Sequence, residues 1–360
     1  MSTAPSVPPI GDPTFRWAHV APALGLRIEH LRKLIDRLEI DFEPRNWGYR
    51  QLSDITDEID RTVISDQIRG AADAVATNLF EVRLHEQDYN DLIGVEGLRV
   101  PTDVESAIAR SRLDMHLTGF FQAFGSTLDC VAATAIGILR VPRSIHRADF
   151  NHLAVLALFS QEAQAVAADQ RAAWDRLRAL LDNHRAGPPQ DWLDWSLELR
   201  NALLHRAKNF MLMFNRPRQS QIEVVSENDE FPWWLVRFDP NLSKRPWLPD
   251  MAMFPTADTI TDAVIAEPSS TTLRGLAMAL NDLVEAATAL LLELWDAADT
   301  GALQLPAPTA AWRASFNPNQ LAFEGFAPGP IRATELRVSS GDADRLALAS
   351  AVRRRILGHP

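Results

Sequence analysis

Residues 191–214, DWLDWSLELRNALLHRAKNFMLMF, decide how the chain is read. Their apolar positions recur at helical spacing, so the stretch predicts one amphipathic helix ending near Pro217. At about 100° per residue, Asp194, Glu198, Asn201, His205 and Lys208 fall on one narrow stripe. Leu199, Leu203 and Phe210 flank it on one side, and Leu193, Leu197, Leu204 and Met211 on the other. A solvated face is polar over a wide arc. A narrow polar stripe between apolar flanks suits a groove or a helix–helix interface, with a solvated strip as the plainer alternative.

Outward from that helix, the neighbours are also helical. Thr102 reads as the cap of a helix running from Asp103 to Leu139, with Leu113, Leu117, Phe120, Phe124, Leu128 and Val131 spaced by three or four. Pro142 ends it. A second long helix is expected over 151–181, and a fourth over 271–298. Between the third and fourth, β-prone runs at 221–225 and 233–238 surround Ser226-Glu227-Asn228-Asp229 and read as a hairpin. The expected fold is all-α: a four-helix-bundle core over 101–300 with a small β-hairpin insertion. Residues 1–15 are rich in Pro and Ser and read as disordered. Residues 16–100 form a helical N-terminal region, with helices at 21–40, 52–67 and 71–84. Residues 301–360 form a loop-rich tail with a short helix at 342–357.

Composition narrows the function. The chain has 360 residues, 46% hydrophobic and 23% charged, enough for a sizeable core. A net charge of -11 argues against a broad surface that tracks nucleic-acid phosphates, but leaves room for a small basic site. Cys130 is the only cysteine, so no intrachain disulfide or thiolate metal cluster forms, and a reducing cytoplasmic setting is expected. The first fifteen residues lack the basic and apolar regions of a signal peptide. Residues 117–139 are apolar for about the length of a membrane span, but Asp129 at their centre argues for a buried core helix. Such a carboxylate calls for a partner, either an arginine of another helix or a supporting role beside a site. No Gly-rich phosphate loop and no HExxH occurs, so neither cofactor nor metal is expected.

Arg-Asn-x-x-x-His at Arg200–His205 resembles the motif of the HEPN superfamily, the higher eukaryote and prokaryote nucleotide-binding domains. A looser Arg–His spacing recurs at Arg110 and His116, Arg140 and His146, Arg147 and His152, and Arg178 and His184. The strict form occurs only at Arg200–His205, on the third long helix, where the family carries it. The aromatic-rich segment 113–129 likewise resembles the first helix of such domains.

The resemblance implies a metal-independent endoribonuclease working as a homodimer, with RNA as substrate and an antitoxin or phage-defence protein as partner. In that reading His205 handles the proton of the 2′-OH and the leaving 5′-oxygen, a task suited to imidazole near neutrality. Arg200 braces the phosphate. Asn201 orients His205, Arg206 and Lys208 add substrate-binding charge, and Glu198 and Asp129 support the site. In an ideal helix Arg200 and His205 stand about 140° apart, which makes a composite site across a dimer the natural way to unite them. The alternative is a non-catalytic HEPN-like bundle that binds RNA, nucleotide or a protein partner.

Overall fold

A computed structural model describes residues 21–96, 103–141, 143–145, 148–150, 168–188, 192–205 and 269–307. Of these, 81% are helical and none is in a strand, so the chain is all-α as far as it is described. The hairpin expected at 221–238, the tail helix at 342–357, the N-terminal 1–15 and much of 151–181 lie outside the described residues.

The helices are α1 (Glu29–Asp41), α2 (Trp47–Arg50), α3 (Glu58–Glu96), α4 (Val104–Ile138), α5 (Ala168–Ala186), α6 (Trp192–His205) and α7 (Ser269–Asp299). Several differ from the expected boundaries: α5 runs to Ala186, five residues past the expected end, α2 falls in a stretch read as a break, and two differences turn on glycine. The helix expected over 21–40 is broken, because Gly25 adopts a left-handed φ of 68° and α1 starts only at Glu29. The two helices expected over 52–67 and 71–84 are one, the 39-residue α3. Gly70 falls inside it on the exposed side, while Ile68 and Ala72 beside it are buried. That burial offsets the roughly 1 kcal/mol by which an interior glycine weakens a helix.

The cap of α4 falls one residue later than expected at Thr102, which lies outside the described residues. Asp103 is the cap: its carboxylate accepts from the Ser106 N–H at 2.8 Å, and Ser106 Oγ accepts from the Asp103 N–H at 3.2 Å. The Ser106 N–H, with the Ser106 side chain, holds the Asp103 carboxyl below its ordinary range.

The chain divides into two compact units, and both the 16–100 and the 101–300 segments contribute to each. The unit containing 30–74, 130–177 and 288–360 is built on Trp295, which packs against Phe42 at 5.4 Å and edge-on against Trp47 at 4.7 Å. Its indole N–H donates to Asp41 at 2.7 Å, so the buried ring keeps its polar end satisfied. Burial raises the Asp41 pKa, against the pull of that bond and of Arg37. At the end of α4, Arg140 takes a left-handed φ of 50° and donates to the carbonyls of Gln51 at 2.7 Å and Pro306 at 2.6 Å. Burial lowers the Arg140 pKa to about 10.

The unit containing 75–129 and 178–287 is organised on the aromatic face of α4. Phe120, Phe121 and Phe124 are fully buried. Phe121 meets Trp195 of α6 at 5.9 Å, and Phe124 meets Trp192 at 6.1 Å, both edge to face. These contacts fix α6 on α4.

α4 and α7 are each long and apolar enough to cross a membrane by length and composition, with 78% and 56% of their most apolar windows buried inside the protein.

Candidate functional site

The start of α6 is tied back to the end of α5. The Trp192 indole donates to the His184 carbonyl at 2.9 Å, and Arg185 grips Asp194 with two nitrogens, one at 2.8 Å. Asp194, first of the polar stripe, is therefore held to α5. Trp192, Leu193, Trp195, Ser196 and Leu199 are buried. Arg200 follows Ser196 by one turn and so leaves α6 close to this buried side, toward α4.

There it finds Asp129. Arg200 Nη2 donates to Asp129 Oδ2 at 3.0 Å, with both side chains 24% exposed. The approach needs Gly125, one turn before Asp129 on α4. A Cβ built on Gly125 would stand 2.3 Å from both Cδ and Nε of Arg200 and 2.7 Å from Cζ. The arginine stem thus lies directly over the glycine, in space that any side chain would fill.

A guanidinium carries five N–H donors. Among the described residues Arg200 uses one, on Asp129, and its Nε is buried without a hydrogen-bond partner. The Nη1 pair and the second Nη2 hydrogen make no bond among the described residues. A cation anchored at one corner, with donors left over and about a quarter of its surface exposed, suits an anionic oxygen.

Asn201 is half-buried on α6, and His205 is the last residue of that helix as described. The side chains of Glu198 and His205, and all of Arg206 and Lys208, lie outside the described residues. The geometry thus brings Arg200 and Asp129 together. For Asn201 and His205 it leaves the sequence spacing, one turn apart on the same face.

Two further features lie in the same unit. His85 of α3 and His116 of α4 share a hydrogen bond, Nδ1 to Nδ1, at 3.2 Å with ring centroids 5.4 Å apart. That centroid spacing is close to the most that two imidazoles joined end to end can reach. The nitrogens therefore point at each other through one shared proton and not jointly at an ion. Burial and the neighbouring His116 lower the His85 pKa, with Glu81 and Asp88 opposing. Among the described residues no group of three or more His, Cys, Asp and Glu stands as a metal centre. A cavity of about 450 Å³ opens between Trp192 and Gly187 on one side and Gly275 and Met278 on the other, and no motif residue lines it.

No family model, curated protein or solved structure matches the chain.

Sequence reasoning missed Gly125. The signal was there: a glycine inside an apolar helix, four residues before its one central carboxylate.

Proposed function

We propose that the chain is a metal-independent endoribonuclease of HEPN type, cleaving RNA by attack of the 2′-OH on the adjacent phosphodiester. The observation that carries this reading is Arg200, anchored at one corner by Asp129 with its other donors unbonded among the described residues, in a strict Arg-Asn-x-x-x-His sequence. Arg200 takes the charge that develops on the phosphate oxygens as the 2′-oxygen bonds to phosphorus. His205 accepts the 2′-OH proton, and an imidazolium returns a proton to the departing 5′-oxygen. Asn201, one turn before His205, orients the ring. The products are a 2′,3′-cyclic phosphate and a 5′-OH.

Two copies supply the two imidazoles and bring an Arg200 to each phosphate that its own His205 reaches poorly, since about 140° of helix separates them. The protein acts as a homodimer in the cytoplasm on RNA, and Arg206 and Lys208 supply basic charge that the acidic whole lacks. An antitoxin or defence protein as controlling partner belongs to the same proposal.

The second reading is a non-catalytic helical bundle that binds RNA, nucleotide or a protein partner. The observation favouring it is the Arg200–Asp129 pair itself, which also serves as a plain interhelical tie.

Incubation of purified protein with a labelled single-stranded RNA in EDTA separates the two. The ribonuclease reading expects cleavage that disappears in Arg200→Ala and in His205→Ala. Equal cleavage by wild type and both variants would contradict it. RNA retention without cleavage supports the second reading.

A further inference from the structure

Resting on the ribonuclease reading, we propose that Gly125 and Asp129 are a two-part seat on α4 that aims Arg200 at the phosphate. Asp129 is a positioning residue, and Gly125 is the gap that admits the side chain.

The two lie one turn apart on one face of α4. Gly125 is buried, and the Arg200 stem crosses it so closely that a Cβ would fall 2.3 Å from Cδ and Nε. Contact with the bare helix backbone fixes the direction of the stem. It also covers Nε, which has no partner among the described residues. Asp129 then takes one Nη2 hydrogen at 3.0 Å and sets the rotation of the guanidinium plane. With Nε covered and one Nη2 hydrogen engaged, Nη1 and the second Nη2 hydrogen are, among the described residues, the donors left for a phosphate oxygen. A longer residue at 125 closes the seat, and a neutral residue at 129 releases the plane.

Gly125→Ala is a selective perturbation. It changes no charge, raises helix propensity, and its three nearest contacts are all with one flexible side chain, which can swing away. The assay is cleavage of a fluorescein-labelled, mixed-sequence 20-nucleotide RNA in EDTA. It compares wild type with Arg200→Ala, Gly125→Ala, Asp129→Asn and Asp129→Glu, with melting temperatures alongside. A group that acts in the transition state changes kcat more than KM. Gly125→Ala and Asp129→Asn should each lower kcat about tenfold or more while KM stays within about threefold, with folding retained. Asp129→Glu, which keeps the carboxylate, should recover part of the loss.

If Arg200→Ala is inactive while Gly125→Ala and Asp129→Asn keep wild-type kcat, the seat is wrong and the ribonuclease reading stands. Activity losses that merely track the folded fraction also overturn the seat. If wild type fails to cleave, or Arg200→Ala cleaves as well as wild type, the ribonuclease reading fails and the inference with it.

Discussion

Arg200→Ala separates a catalytic arginine from a structural one, because the two roles carry different magnitudes. The substitution removes one charge-assisted hydrogen bond at 3.0 Å and the packing of the stem over Gly125. Such a bond contributes roughly 1.5–3 kcal/mol. Asp129 is 24% exposed, so water takes over part of what it loses, and a fully buried carboxylate would suffer more. Alanine is also slightly the better helix former. The net destabilisation comes to about 1–2 kcal/mol, or a melting-point drop of roughly 1–3 °C for a chain of 360 residues. Loss of a donor that meets developing transition-state charge should instead lower kcat by about 10²–10³-fold. The assay pairs thermal melting by circular dichroism with cleavage of a labelled RNA at a temperature where both proteins are folded. A melting-point drop well beyond 10 °C would make Arg200 a structural residue, and cleavage within twofold of wild type would remove it from catalysis.

Other consequences are open to measurement. Arg140→Met removes the donor to two carbonyls at 2.6 and 2.7 Å. Chemical denaturation should show a loss of about 2–4 kcal/mol with unfolding still cooperative, and an unchanged midpoint would deny that the guanidinium is a clamp. The His85 pKa is lowered by burial and by His116, so the unfolded chain takes up its proton first. The contribution to stability is present above the ordinary histidine pKa and is lost as pH falls through the depressed one. Wild type should therefore lose melting temperature between about pH 7 and pH 5, with a shallower slope in His85→Gln; parallel slopes would contradict this. RNA cleavage should survive excess EDTA, and restoration of activity only by a divalent cation would point to another mechanism.

The fold was legible where periodicity was strong and uninterrupted. α4 and α7 fall within a residue or two of where their leucine and phenylalanine spacing places them. Two of the failures occur at glycine, and in opposite directions. Gly25 ends a helical turn by adopting a left-handed conformation, whereas Gly70 is carried through α3 by the buried Ile68 and Ala72. A glycine's local preference does not reveal which outcome tertiary packing will select.

The candidate site shows the same division. Arg200, Asn201 and His205 stood out by sequence, and Asp129 stood out as a carboxylate in an apolar helix. The chain contains too many arginines for spacing alone to say which one Asp129 meets. Gly125 was legible only as a glycine inside an apolar helix; that the Arg200 stem passes over it was not, because its contribution is the absence of atoms there.

The most direct test of the central claim is the chemistry of the cut ends. Wild-type protein and His205→Ala are incubated with a defined RNA in EDTA, and the fragments are weighed by mass spectrometry. Wild type should leave 2′,3′-cyclic phosphate and 5′-OH ends, and His205→Ala should leave the RNA intact. The contradicting results are uncut RNA with wild type, 3′-OH and 5′-phosphate ends, or identical fragments from both proteins.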